Sequence, residues 1–212
     1  MAMAPATSKR YTIDDLDDFP DDGKLRELVD GQIVEWDVPN FYHSFFVAAL
    51  SAILRGFVVR RRLGAVVGGE YMVRVQESRF DARGADVAFY RRQRIPKDKR
   101  TAASAGVPDL VVELFSPSDR AVDVQEKIRD WLRAGVRLLW YVDPETGLTV
   151  VYQGDRVTYV GADEVLTGGD VLPGFTMRMR EVLDELAAFE VDEDQDDNAD
   201  EPLDGDDSSA EA

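Results

Sequence analysis

The segment Asp109-Leu-Val-Val-Glu-Leu-Phe115 constrains the fold more than any other stretch of this chain. Strand alternation puts Leu110, Val112 and Leu114 on one face and Asp109, Val111 and Glu113 on the other, so an otherwise apolar core strand carries a carboxylate at Glu113. Ser116-Pro117-Ser118 breaks the strand, and Asp119 to Ala134 then has the apolar spacing of a helix, capped by Ser118 or Asp119 and ended by Gly135. Leu138 to Val142, Leu148 to Gln153 and Arg156 to Val160 follow as strands, with turns at 143–147 and at Gly154-Asp155. The order of elements is mixed α/β.

The upstream half supplies the rest of that architecture. Tyr11 to Gly23, with Thr12 ahead of Asp14 and Asp15, reads as a capped helical turn and loop. Asp30-Gly31 sits between two apolar runs as the turn of a hairpin over residues 25–38. From His43 to Leu63, Phe46, Val47, Leu50, Ile53, Leu54 and Phe57 recur at helical steps, with Arg60 to Arg62 at the C-terminal end and Gly64 as the stop. Val66 to Val75 and Ala85 to Tyr90 read as strands separated by the polar stretch 76–84, and 91–105 as a solvated basic loop. Val171 to Phe189 holds an edge strand and a last amphipathic helix carrying Val182, Leu183, Leu186 and Phe189. No internal repeat is visible.

Charge separates body from tail. The chain of 212 residues carries a formal net charge of −17, yet 15 of its 42 acidic residues and none of its 25 basic ones lie from Glu181 onward. The segment 190–212 has too few large apolar groups to offset ordering entropy and is expected to be disordered. The absence of cysteine excludes disulfides, thiolate metal sites and a Cys nucleophile, and a lone His43 excludes His-rich zinc sites. Neither a signal-peptide core nor an apolar run of membrane-spanning length is apparent, so a cytoplasmic protein without membrane contact is expected. P-loop, GxSxG and GxGxxG patterns are missing as well.

Two acids stand out within apolar runs: Glu113, and Asp86 in Ala85-Asp86-Val87-Ala88-Phe89-Tyr90. A buried carboxylate is unfavourable unless it is paired or metal-bound, and a divalent cation would turn the mutual repulsion of two of them into attraction. The competing reading is that each pairs with an arginine. Lys127, on the helix after Glu113, lies at the margin of the buried face, where it either reaches toward the sheet to orient water or stabilise phosphate charge, or pairs with Asp123 one turn away.

The ordered set Leu25-Arg-Glu-Leu-Val-Asp-Gly31, Asn40 to His43, Ala85-Asp-Val87, Pro108-Asp-Leu-Val-Val-Glu-Leu-Phe-Ser-Pro-Ser118, Asp123 to Lys127, Ala134-Gly-Val136 and Trp140-Tyr-Val-Asp-Pro144 resembles the Uma-two family of bacterial endonucleases, over residues 11–189. That family is placed in the restriction-endonuclease-like PD-(D/E)xK superfamily. The resemblance implies a mixed β-sheet flanked by helices, with an N-terminal hairpin and the acidic tail outside the nuclease domain. It also implies Mg²⁺-dependent hydrolysis of nucleic acid, with DNA the expected substrate and Mn²⁺ an alternative ion. Asp86 and Glu113 match the family's strand acids, Lys127 its lysine displaced onto the next helix, and Glu27 the acid of its first hairpin. The backbone carbonyl of Leu114 is a further candidate ligand. Ala85 replaces the usual proline, and Phe115 stands where the wider superfamily keeps its lysine.

Other polar groups have weaker grounds. His43 reads as a helix-start or packed imidazole more readily than a catalytic one, and Asp109 as a strand-start cap or a supporting carboxylate. Arg60 to Arg62 and the cluster Arg91, Arg92, Arg94, Lys97, Lys99 and Arg100 are the positive patches available to phosphates. A homodimer is expected from the task of cutting both strands. A non-catalytic interaction module, using its acidic tail on a basic partner, is the alternative function.

Overall fold

Eight strands form one mixed sheet in the order β2-β1-β4-β5-β6-β7-β8, with β3 paired to β4 outside that path. This computed structural model describes residues 9–20, 22–36, 39–75, 81–97, 106–116 and 119–196. The strands are β1 (Leu25–Val29), β2 (Gln32–Trp36), β3 (Gly64–Arg74), β4 (Ala82–Arg91), β5 (Leu110–Leu114), β6 (Leu138–Val142), β7 (Thr149–Gln153) and β8 (Arg156–Val160). A separate ribbon pairs β9 (Leu166–Thr167) with β10 (Thr176–Met177). The helices are α1 (Phe41–Arg61), α2 (Ala121–Ala134) and α3 (Met179–Asp196). The fold is mixed α/β, as the order of elements predicted, and its mixed sheet flanked by helices is the architecture that the resemblance implied.

Two cores lie on opposite faces of the sheet. Phe46, Leu50, Leu54 and Phe57 of α1 and Val182 and Leu186 of α3 pack on Val87, Leu110, Val112 and Leu114. On the other face Ile128 and Trp131 of α2 pack on Ala88, Val111 and Leu139. The alternation read for β5 is therefore the observed one. The connection β5-α2-β6 joins two parallel strands, and the other sheet pairs run antiparallel.

Several local expectations are corrected. The helix α1 begins at Phe41, because Asn40 accepts the His43 N–H at 2.9 Å as N-cap. Arg62, with φ 55°, ends it in the left-handed conformation. Gly64 is the first residue of β3, and a Cβ there would lie 1.8 Å from the Tyr90 carbonyl oxygen; close strand approach, not helix termination, requires the glycine. At 21 residues α1 is also long and apolar enough for a membrane span, contrary to the sequence reading, although Phe46, Leu50, Leu54, Phe57 and Val58 of it are buried in the core. Strand β4 begins at Ala82, inside the stretch read as polar. Asp119 does not cap α2, whose N-cap is Arg120; its carboxylate instead accepts the Ser116 N–H at 3.0 Å. The edge strand expected after Val171 is β10, which joins the small ribbon rather than the main sheet.

At Asp30 and Gly31 the hairpin turn has φ 46° and 75°, the pair of positive values that a two-residue type I′ turn needs. Beyond Phe189, α3 continues through 190–196; Ser118, 98–105 and 197–212 lie outside the described residues.

Candidate active site

Strand register brings the acids together. The β4–β5 ladder ends at Val87↔Val112, which leaves Asp86 and Glu113 as the next facing positions. Asp86 Oδ2 accepts the Leu114 N–H at 2.7 Å, so the side chain occupies the place where the ladder stops. Further along the same edge of β4, whose other edge is taken by β3, β1 meets it in the single pair Leu28↔Ala82. There Glu27 bridges the strands, its Oε1 accepting the Gly84 N–H at 2.9 Å. Glu27, Asp86 and Glu113 are each only 3% exposed.

Lys127 closes the group from α2, with Nζ 2.9 Å from Glu113 Oε2 and 3.2 Å from Glu27 Oε1. Its partners across the sheet, rather than along the helix, fit the reading of Lys127 as a sheet-facing residue; Asp123 lies 3.9 Å from Arg120. Two indoles orient the glutamates. Trp131 Nε1 donates to Glu113 Oε1 at 2.7 Å, and Trp36 Nε1 to Glu27 Oε2 at 3.2 Å. Buried Arg83 donates to Glu27 Oε2 at 3.0 Å and through Nη2 to Asp130 at 2.6 Å, tying β1 and β4 to α2. His43 enters from the first turn of α1, its Nε2 3.3 Å from Asp86 Oδ1.

The two glutamates titrate in opposite directions. Burial would raise the Glu27 carboxyl, but the charges of Lys127 and Arg83 and the Gly84 N–H outweigh it and hold it below its ordinary value. Glu113 is pushed up to about 8, chiefly by burial and then by the charges of Asp86 and Glu27, against the opposing pull of Lys127. Nearby, burial raises Asp119, and burial with the charges of Asp119 and Glu113 raises the Tyr141 hydroxyl, which lies 3.4 Å from Asp119 Oδ2.

Apart from Arg83, Arg120, Asp130 and Trp131, these side chains line one cavity of about 620 Å³. Its walls carry Glu27, Glu35, Asp86, Glu113, Asp119 and Asp123 against two ammonium groups, Lys24 and Lys127, with Lys24 bound to Glu35 at 2.6 Å. Among the described residues no three His, Asp or Glu side chains form a cage for a metal ion. The donors facing one another are the two carboxylates of Asp86 and Glu113, both hard oxygen ligands. That set fits Mg²⁺, which binds through one or two carboxylates and completes its shell with water and substrate phosphate.

All four acid and lysine positions singled out in the sequence thus meet in one place; Leu114 lines the cavity too, with its N–H engaged by Asp86. Asp109 does not join them. It is buried at the opposite end of β5, accepting from Arg91 N at 2.9 Å and Arg94 Nη1 at 3.0 Å. The basic patches are remote as well. Arg61 ends α1 some 18 residues beyond His43, about 27 Å along the helix at 1.5 Å per residue. Lys99 and Arg100 lie outside the described residues. Trp36, Arg83, Trp131 and Tyr141 were not singled out by sequence, since an indole in an apolar helix face or an arginine in a polar stretch gives no sign of its partner.

A mixed sheet flanked by helices, with carboxylates and a lysine gathered where neighbouring strands part, places the molecule among restriction-endonuclease-like proteins. The chain belongs to the Uma-two family, described as "Putative restriction endonuclease", which matches it over residues 13–180. Its fold is shared by a crystal structure at 1.96 Å described as that of a "putative nuclease" from Anabaena variabilis, with a TM-score of 0.71 and 18% identity over 82% of this chain and 98% of the other. No curated protein matches the chain.

Proposed function

We propose that the protein is a metal-dependent nuclease that hydrolyses phosphodiester bonds of DNA, with Asp86 and Glu113 holding Mg²⁺, or Mn²⁺ in its place. The observation that carries this reading is the facing pair of buried carboxylates, Asp86 and Glu113, with Lys127 2.9 Å from Glu113 Oε2. An acidic cavity repels a phosphodiester, and a divalent cation removes that obstacle. When bound, the cation supplies Lewis-acid charge to the scissile phosphate and makes water a better nucleophile.

The protein's own groups orient and balance this charge. Asp86 is fixed by the Leu114 N–H and Glu113 by the Trp131 indole, so both carboxylates are preorganised. Lys127, held between Glu27 and Glu113 at the cavity wall, places positive charge beside the nonbridging phosphate oxygens and the attacking water. Glu27, itself anchored by Arg83 and Trp36, positions that lysine. A non-catalytic interaction module gives no physical reason to bury two facing carboxylates, an unfavourable arrangement without a cation.

Cleavage of supercoiled plasmid and labelled oligonucleotides, with Mg²⁺, Mn²⁺ or chelator, tests the reading. Asp86→Ala and Glu113→Ala are each expected to abolish metal-dependent cleavage while leaving the circular dichroism spectrum unchanged. Equal cleavage by either folded variant would overturn the assignment.

A further inference from the structure

Strands β1 and β4 share one ladder pair, Leu28↔Ala82, and part toward Leu25. Past the bridge made by Glu27 to Gly84, the gap opens into a second cavity of about 260 Å³. It shares Lys24, Leu25, Glu27 and Trp36 with the catalytic cavity, and Leu16, Phe19 and Met72 complete its apolar wall. Leu16 belongs to the 3₁₀ turn Ile13–Asp18, and Phe19 follows it.

Both aromatic rings at this cavity are held by charged groups that also line it, Arg26 and Glu27. The Arg26 guanidinium lies over the Phe19 ring at 5.0 Å and is itself bound to Asp22 at 2.6 Å and Glu35 at 3.1 Å. Tyr11 packs on the same ring at 5.5 Å. The Trp36 indole is pinned through its N–H to Glu27. Rings fixed in this way keep a slot of mixed apolar and charged walls open without the entropy loss of ordering them on binding. The volume falls just under the roughly 300–1,000 Å³ of pockets that take drug-sized ligands, so the slot suits one flat ring system rather than a whole nucleotide.

We infer that this slot is a nucleobase subsite and that the substrate of the catalytic cavity is single-stranded nucleic acid, bound with one unpaired base between Phe19 and Trp36. The inference rests on the nuclease reading above. Glu27 borders both cavities, so a phosphate in the larger one and the base of a neighbouring nucleotide in the smaller one are adjacent on a single strand. Aromatic walls accept any base through its π-face, so stacking there carries no sequence requirement. A base in duplex must leave its stack and its pair to enter, which favours the single strand.

Binding of single-stranded oligodeoxynucleotides to the full chain, with Ca²⁺ in place of Mg²⁺ to hold off cleavage, tests this. A 2-aminopurine moved along the strand should change fluorescence strongly at one position. An abasic site at that position should weaken binding on the order of tenfold to a hundredfold. Phe19→Ala should remove that difference while keeping the Mg²⁺-induced thermal shift, and the abasic comparison on the unaltered protein needs no variant to fold. Abasic strands that bind equally well at every position, or duplex that binds more tightly than single strand, would overturn the subsite while cleavage by the wild type left the nuclease standing. Failure to bind or cut any nucleic acid would overturn both.

Discussion

Replacing Glu113 with glutamine isolates the charge that the metal-free site has to bury. Without divalent ions the folded protein raises this carboxyl from its ordinary 4.5 to about 8. Between those pH values the native state keeps a proton that the unfolded chain has released. The associated stability is complete below about pH 4.5 and is lost as pH rises through about 8. At about 1.4 kcal/mol per pH unit the loss reaches about 5 kcal/mol, a large share of the roughly 5–15 kcal/mol that holds a domain folded. Glutamine leaves an oxygen for the Trp131 N–H and cannot ionise, so the dependence should vanish in the variant. Urea unfolding in chelator, followed by tryptophan fluorescence from pH 5 to pH 9, reads this directly. Wild type should lose stability toward pH 8, where Glu113→Gln equals or exceeds it, and Mg²⁺ should restore stability to the wild type alone. Parallel curves for the two proteins would refute the account of a strained carboxylate.

Glu27 acts with the opposite sign. Held below its ordinary value, it contributes stability that is present above about pH 4.5 and lost as pH falls through the depressed value, so Glu27→Gln should flatten the acid limb of the same curve. Lys127→Met should lower stability in chelator by about 3 kcal/mol at pH 8 and by less at pH 5, where Glu113 takes up a proton instead; denaturant midpoints at the two pH values distinguish this from simple loss of packing. Alanine at Arg60, Arg61 and Arg62 together should change cleavage by less than about twofold, because the triplet lies about 27 Å along α1 from His43; a larger loss in a plasmid assay would show that DNA reaches that end.

Asp86 and Glu113 were legible because an ionisable side chain in an apolar strand is unfavourable without a partner, and that anomaly is written in one dimension. Lys127 was legible as a residue on the edge of a buried helix face, but its partners come from β1 and β5 and are set by how the sheet is ordered. Arg83 shows the limit more sharply. It lies in a stretch whose polarity suggests a loop, yet it is buried in β4 because Glu27 and Asp130 neutralise it from two other elements. His43 was visible as a helix-start residue, and the Asn40 cap that directs its first turn gave a local signal; its approach to Asp86 did not. Asp109 followed the same strand-face pattern as Glu113, and the arginines around it decided that it serves the opposite end of β5.

The hairpin β1–β2 is joined to the rest of the sheet through one ladder pair, the Glu27 carboxylate, the Asp30 N–H on Asp81 and a small apolar cluster of Leu28 and Ile33 with Ala82 and Met72. Docking of the hairpin and assembly of the site are therefore the same event. Local opening there would expose Glu27, release Lys127 from one of its two carboxylates and strip Trp36 from both cavities, while the β3–β8 body stayed intact. Amide hydrogen exchange should show residues 25–36 opening at a lower free energy than β4 and β5, as a separate cooperative unit. Any ligand that spans the two cavities would slow that opening, so protection of the hairpin becomes a measure of occupancy that needs no turnover.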